Sequence, residues 1–491
     1  MEIIFYMIVV FGTFFPYFIF PIPPNPGKAY KSKMDASFFA IPIIVCAFIC
    51  IRKGVQTQVV LIALGLLLIL IADFLSASSG VSLPGIGLKF IGETIPAYFL
   101  NVFSGSTIRL ALVVMTIGGY AKYMSYIGSA DAIMNMLYRM LPPSANPYLA
   151  MSFAYLIGQF LNLFIPSAAG LALLLITAVY ETLLRIGTSR AGAAAVVGTT
   201  GCLDLGPFSV TTIVGAIAVQ MPVMRYFLSI QLPVALITAA TIAALHYTTQ
   251  KFVVPREKKI NKTELRSLNG KLSRPPNAYA LFPALPFLLI ILFSAVPIKN
   301  SDLNIISAVC LSFSVCFICD LFFRCSPKHM VSGLKALLSG VWQMTSRIVT
   351  LILSANFFVL SLQHAGVFKS IAGLAQEVAY GPLLMLFILV LLTATVAILS
   401  GSGSAAFISL SGIATNIAPA MGMMTVAFIL PMQMAAGMFR SLSPVSGVII
   451  AVAGTTGINP VNLVKQNALP ITGGFIVMLA SSLLSFGFSW H

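Results

Sequence analysis

The stretch Phe439-Arg440-Ser441-Leu442-Ser443-Pro444-Val445-Ser446-Gly447 separates two apolar runs, Met421 to Met438 and Val448 to Val452. It places one arginine, three serines and a proline at what should be membrane depth. Proline breaks a helix and frees backbone groups that hydrocarbon cannot satisfy, so this segment must face protein or water. A broken segment in such a place lines a binding site.

The stretch has a counterpart earlier in the chain. A gapless step of 237 positions sets Leu442, Pro444 and Ser446 on Leu205, Pro207 and Ser209. The same step sets Ser404-Ala405-Ala406, within the run Ser400-Gly401-Ser402-Gly403-Ser404, on Ser167-Ala168-Ala169, within Pro166 to Gly170. Two motifs that share one offset read as an internal duplication. Corresponding Gly/Pro-interrupted apolar segments in duplicated halves point to the binding site of a secondary transporter.

Composition sets the class. Of 491 residues, 59% are hydrophobic and 8% charged, with a mean hydropathy of +1.00, whereas soluble domains carry about 25% charged residues. At about 20 apolar residues per crossing, the runs accommodate roughly ten to twelve spans plus shorter broken segments. The expected fold is an all-α polytopic membrane protein made of two halves. The net charge of +16 has no soluble basic domain behind it, which excludes nucleic acid as a partner and assigns the basic residues to cytoplasmic loops. The seven cysteines lie mostly in apolar runs, and Cys316-Phe317-Ile318-Cys319 has no second pair to complete a zinc or redox site. No disulfides are expected.

The chain divides into an extension over residues 1–35, a first half over 36–250, a basic loop over 251–276 and a second half over 277–491. Ile3 to Ile22 is apolar without a preceding basic residue or a small-residue cleavage site, and reads as an uncleaved segment. Lys251 to Arg274 is the longest hydrophilic segment and is expected in the cytoplasm. Asp131 to Met140 and Phe368 to Tyr380 read as surface helices. A basic junction with Arg324, Lys328, His329 and Lys335 precedes a span from Gly340 to Leu362, and Trp490 reads as an interface anchor.

The chemistry concentrates in four breaks. Consecutive Ser and Gly from Ser400 to Ser404 form helix poorly and expose backbone polar groups, which suits the tip of a re-entrant hairpin. Helix N-termini facing one another suit a carboxylate, and unwound carbonyls suit a cation. Arg440 adds a full charge with a planar fork for a carboxylate. Its other readings are snorkelling to the interface or pairing with Asp204, the one acid within the breaks. Asp204 is a candidate for a coupling proton, a cation or that ion pair. The substrate set is Ser167, Ala168, Thr200, Asp204, Pro207 and Ser209 from the first half, with Ser402, Gly403, Ser404, Arg440, Ser443, Pro444 and Ser446 from the second. Asp73 and Asp320 lie near span ends, where structural roles are expected. His246, His329 and His364 are isolated in sequence, so no metal-ligand spacing or catalytic triad emerges and no enzyme is expected.

At these residues the chain resembles the DcuC family of anaerobic four-carbon dicarboxylate carriers, within the ion transporter superfamily. The stretches that carry the resemblance are Gly118 to Met124, Asn146 to Leu149, Ser167 to Leu171, Ser189 to Ala195, Gly401-Ser402-Gly403 and, above all, Arg440-Ser441-Leu442-Ser443-Pro444-Val445-Ser446-Gly447-Val448. The resemblance runs from about Ala36 to the C-terminus. It implies two inverted repeats with re-entrant hairpins, a dimerising scaffold and a transport region that moves as an elevator. It also implies transport of succinate, fumarate or malate across the bacterial inner membrane, by exchange or cation-coupled symport, with a homodimer as the assembly. Ser402, Gly403, Arg440, Ser443 and Pro444 fall on the family's site motifs. The chain departs from the family pattern at Ser404-Ala405-Ala406, where that pattern has Asn then Ala-Pro. It departs again at Ala435-Ala436-Gly437, where the pattern has Ala-Ser-Asn. With those asparagines lost, the alternative is a cation/proton antiporter or a carrier of another small organic acid. No cofactor is expected beyond a coupling proton or sodium ion.

Overall fold

The computed structural model describes residues 42, 43, 46, 49–50, 55–76, 90–103, 105–129, 132, 146–165, 167–253, 276–295, 304–324, 326–368, 370 and 380–487. The apolar segment Ile3 to Ile22, most of the loop Lys251 to Arg274, Pro166 and Trp490 lie outside these residues, as do most of the expected surface helices at Asp131 to Met140 and Phe368 to Tyr380. Among the described residues there is no strand, and seven helices are long and apolar enough to cross a membrane. The protein is a multi-pass membrane protein.

The described residues fall into two compact units, and each draws on both halves of the chain. One unit comprises Met1–Ser104 with Leu353–Gly381; the other comprises Gly105–Ile352 with Pro382–His491. In the first unit, Ile69, Val102 and Phe357 form a buried cluster. A Cβ at Gly65 would stand 2.9 Å from the Phe357 ring, so the small residue permits that packing. Asp73 accepts from Thr94 at 3.2 Å and lies 2.8 Å from His364 Nε2, so a histidine isolated in sequence has a carboxylate partner in space.

The second unit holds every candidate site residue. Ten of its described helices matter here, numbered α1 to α10: α1 (Pro147–Asn162), α2 (Ala168–Leu175), α3 (Arg190–Thr199), α4 (Val210–Ala218), α5 (Leu232–Thr248), α6 (Gly381–Ser400), α7 (Gly403–Ala420), α8 (Thr425–Arg440), α9 (Gly447–Thr456) and α10 (Pro460–Ser482). Subtracting 237 carries α6 onto 144–163, α7 onto 166–183, α8 onto 188–203, α9 onto 210–219 and α10 onto 223–245. These spans overlie α1, α2 with its continuation through Glu181–Ile186, α3, α4 and the Val223–Thr248 region. The element order therefore repeats at the offset read from the sequence.

Local chemistry sets the ends of these helices. Pro147 and Pro460 occupy first-turn positions where no amide hydrogen is needed, behind Asn146 and Asn459, whose side chains accept from Tyr148 N at 3.1 Å and Val461 N at 2.9 Å. Elsewhere in the unit, Gly105–Ile127 packs along Pro327–Met344 through glycine: a Cβ at Gly340 would stand 2.4 Å from the Gly118 carbonyl oxygen. The helix expected from Gly340 begins earlier, at Pro327, and carries Lys328, His329 and Lys335, while Arg324 ends the preceding helix. Lys328 and Lys335 are exposed there, His329 lies 3.1 Å from Asp320, and Pro327 starts rather than stops the helix.

Candidate functional site

Four chain breaks frame the site, two from each half. The first separates α1 from α2, and Ser167 caps α2 by accepting from Gly170 N at 3.2 Å. Its counterpart separates α6 from α7, where Gly401 turns the chain at φ +68° and Ser402 caps α7 by accepting from Ala405 N at 3.2 Å. A Cβ at Gly401 would stand 2.8 Å from the Val445 carbonyl oxygen, so both the turn and the close approach require glycine. The gapless alignment pairs Ser167 with Ser404, yet the capping role of Ser167 falls on Ser402. The second-half helix starts two positions earlier in the common frame, and the cap follows the helix start. Ser404 Oγ instead lies 3.5 Å from Ser402 Oγ.

The other two breaks are runs of tight turns. After α3, Cys202 N donates to Thr199 O, Asp204 N to Gly201 O and Ser209 N to Gly206 O. After α8, Leu442 N donates to Phe439 O, Ser443 N to Arg440 O and Ser446 N to Ser443 O. The bonds closing Ser209 and Ser446 are equivalent under the repeat offset, at 3.1 and 3.2 Å. Ser209 and Ser446 both stand at the N-caps of the following helices, α4 and α9, without capping them through their side chains.

Arg440, the last residue of α8, joins the halves. Its Nη2 donates to the Gly201 carbonyl at 2.7 Å and to Asp204 Oδ1 at 3.1 Å, with the two side chains 12% and 11% exposed. Asp204 holds φ +47°, a left-handed conformation rare for a residue with a Cβ. Glycine lets the breaks approach. A Cβ at Gly201 would meet Ala168 Cβ at 2.7 Å, one at Gly403 would meet the Ala436 carbonyl oxygen at 2.6 Å, and one at Gly437 would meet the Cys202 carbonyl oxygen at 2.5 Å and Asp204 Oδ2 at 3.2 Å. Ala168, Gly201, Arg440, Asp204, Gly437 and Gly403 therefore form one contiguous constellation.

Its polar capacity is only partly used. Arg440 Nε, Asp204 Oδ2, Ser443 Oγ and Ser446 Oγ are buried without a hydrogen-bond partner. A buried unpaired polar atom costs about 1–3 kcal/mol, and more when charged. The Nε–H of the guanidinium is thus an unspent donor for an anion, while the carboxylate and two hydroxyls offer oxygens suited to a proton or a small cation.

Other expected site residues stand differently. Thr200 Oγ1 donates to Val197 O at 2.8 Å, so its hydroxyl is spent within its own turn. Ser209 Oγ pairs with Thr211 Oγ1 at 3.0 Å. Pro207 is buried, whereas Pro444 is exposed. The structure adds residues that sequence reading passed over. Gln159 Nε2 reaches Thr199 O at 3.3 Å, Tyr155 OH lies 3.4 Å from Cys202 Sγ, and Asn467 Nδ2 donates to Ser441 O at 3.1 Å. Their signal was a polar or phenolic side chain inside an apolar run, which in a membrane seeks a protein partner.

The sequence profile of the C4-dicarboxylate anaerobic carriers, DcuC, matches residues 34–486. The chain belongs to the DcuC family. The anaerobic C4-dicarboxylate transporter DcuC of Escherichia coli K12 is 26% identical over 442 residues, covering 88% of this chain and 93% of the relative. A probable DcuC from Vibrio cholerae is 27% identical over 442 residues, covering 88% and 94%. The fold is similar to that of Neisseria gonorrhoeae MtrF, at TM-score 0.59 and 15% identity over 88% of this chain and 95% of that one. It is also similar to the Alcanivorax borkumensis YdaH transporter, at TM-score 0.55 and 14% identity over 88% and 98%. As a DcuC family member the chain is a carrier rather than an enzyme.

Proposed function

We propose that this DcuC family member carries C4-dicarboxylates of the succinate, fumarate and malate type across the bacterial inner membrane, by exchange or cation-coupled symport. The observation that carries this reading is the half-used guanidinium of Arg440, buried where the four breaks meet. A carboxylate leaving water needs compensating charge and hydrogen bonds, and Arg440 supplies both through its unspent Nε–H and, once Asp204 is displaced, Nη2. The capped N-termini of α2 and α7 add partial positive charge for the substrate's carboxylates. When a substrate carboxylate takes the guanidinium, Asp204 loses its counter-charge and takes up a proton or a sodium ion, with Ser443 and Ser446 offering further oxygens. The coupling ion thereby enters with the anion.

The repeated element order supports a duplication, and the reading is completed by two repeats of opposite orientation, built from residues 36–250 and 277–491, that alternate access by an elevator movement of the hairpin-bearing helices. A homodimer would hold the stationary part. The breaks' small residues in place of asparagine leave room for a different organic acid, and competition separates the two readings. In proteoliposomes, labelled succinate should show counterflow that fumarate and malate compete and citrate does not. Counterflow absent with all C4 acids, but present with another acid, would reassign the substrate.

A further inference from the structure

Asp204 occupies a left-handed backbone conformation that its own side chain does not explain, since the carboxylate is engaged with Arg440 on one oxygen only. Its main-chain carbonyl ends a chain of buried hydrogen bonds that starts far away in sequence. Tyr226 OH donates to Gln433 Oε1 at 2.6 Å, and Gln433 Nε2 donates to Thr212 Oγ1 at 3.2 Å. Thr212 Oγ1 in turn donates to Gln231 Oε1 at 2.9 Å, and Gln231 Nε2 donates to the Asp204 carbonyl oxygen at 3.3 Å. All four side chains are fully buried. Each donates toward the next, so the dipoles align and strengthen one another where no water screens them. Gly215 closes the space around this chain: a Cβ there would stand 2.9 Å from Tyr226 OH and 3.0 Å from Gln433 Oε1.

The path crosses between the halves. Gln433 sits on α8, two turns before Arg440, whereas Thr212, Gln231 and Tyr226 belong to the half that carries Asp204. The relay is thus anchored through Gln433 to the helix that presents the arginine, and its far end holds the peptide that presents the carboxylate. We propose that Gln433, Thr212, Gln231 and Tyr226 are positioning residues that hold Asp204 in register with Arg440 and so set the carrier's affinity for its dianionic substrate. The proposal rests on the substrate reading of the Arg440 site. Replacing Thr212 or Gln433 by an apolar isostere leaves two buried polar groups without that partner and loosens the hold on the Asp204 peptide without adding or removing charge.

The test compares Thr212→Val, which removes only the hydroxyl, with Thr212→Ser, which keeps it, in the full-length carrier in proteoliposomes with labelled succinate. Monodispersity in detergent checks folding, and Gln433→Met serves as a second isosteric break should Thr212→Val fail to fold. Thr212→Val should raise KM roughly tenfold, the equivalent of one buried hydrogen bond, with Vmax within about twofold. Thr212→Ser should restore the KM of the unaltered carrier. In an Asp204→Asn background the effect of Thr212→Val should shrink to less than about twofold, because the network acts through Asp204. An undiminished effect in that background, or a fall in Vmax at constant KM, would overturn the positioning role and leave a packing role. Arg440→Ala is the control on the underlying reading: if it leaves succinate KM unchanged, the substrate site is elsewhere and this proposal falls with it. If it raises KM while Thr212→Val does not, only the network proposal fails.

Discussion

The Arg440–Asp204 pair allows a sharp separation between a binding arginine and a structural one. The two side chains are about one-tenth exposed and meet at 3.1 Å, so removing either partner strands a charge in a nearly water-free place. Breaking such a pair costs about 3–5 kcal/mol, and the residual exposure argues for about 3. Arg440→Ala alone should therefore destabilise the folded carrier, and so should Asp204→Ala alone. The double variant should recover most of that loss, since no charge is left unpaired. Transport behaves differently. A charge-assisted hydrogen bond to substrate contributes about 1.5–3 kcal/mol, so loss of the fork should raise KM by roughly 10- to 150-fold, and that loss persists in the double variant. Arg440→Lys keeps the charge without the planar Nε edge, so it should weaken affinity about tenfold while Vmax stays near normal. The measurements are thermal stability of the detergent-solubilised protein and succinate counterflow in proteoliposomes, on all four variants. Recovery of succinate transport in the Arg440→Ala, Asp204→Ala double variant would refute the substrate-binding role of Arg440.

Further outcomes follow from the same geometry. Asp204→Asn should retain exchange of one dicarboxylate for another but lose accumulation driven by an ion gradient, and equal loss of both would assign Asp204 to substrate binding. Gly437→Ala should destabilise the fold by about 1–3 kcal/mol and impair transport, because its Cβ would stand 2.5 Å from the Cys202 carbonyl oxygen and 3.2 Å from Asp204 Oδ2. Normal stability and transport in that variant would show that the breaks are not closely packed. Asp320 accepts from Tyr279 OH at 2.6 Å and lies 3.3 Å from Arg324 and 3.1 Å from His329, remote from the substrate constellation in role. Asp320→Asn should cost about 3 kcal/mol of stability with succinate KM unchanged, which thermal melting and counterflow read separately.

Hydropathy, the two pairs of breaks and their common offset were legible in the sequence because each depends on local composition. A run of apolar residues spans a bilayer whatever its partners, and Pro444 or the Ser400 to Ser404 run disrupts a helix whatever surrounds it. The identity of Arg440 and Asp204 as the charged pair among the breaks was legible for the same reason, since charge is costly at membrane depth. Their contact was one of several readings, and only the fold chose it by joining residues on α8 and after α3. The capping serine of α7, the expenditure of the Thr200 hydroxyl on its own turn, the carboxylate partners of His329 and His364, and the relay from Tyr226 to Asp204 were decided by tertiary structure. The physical reason lies in the solvent. Lipid and protein core are both apolar, so a membrane helix carries little periodic contrast between its buried and exposed faces, and sequence spacing cannot show which face meets which partner.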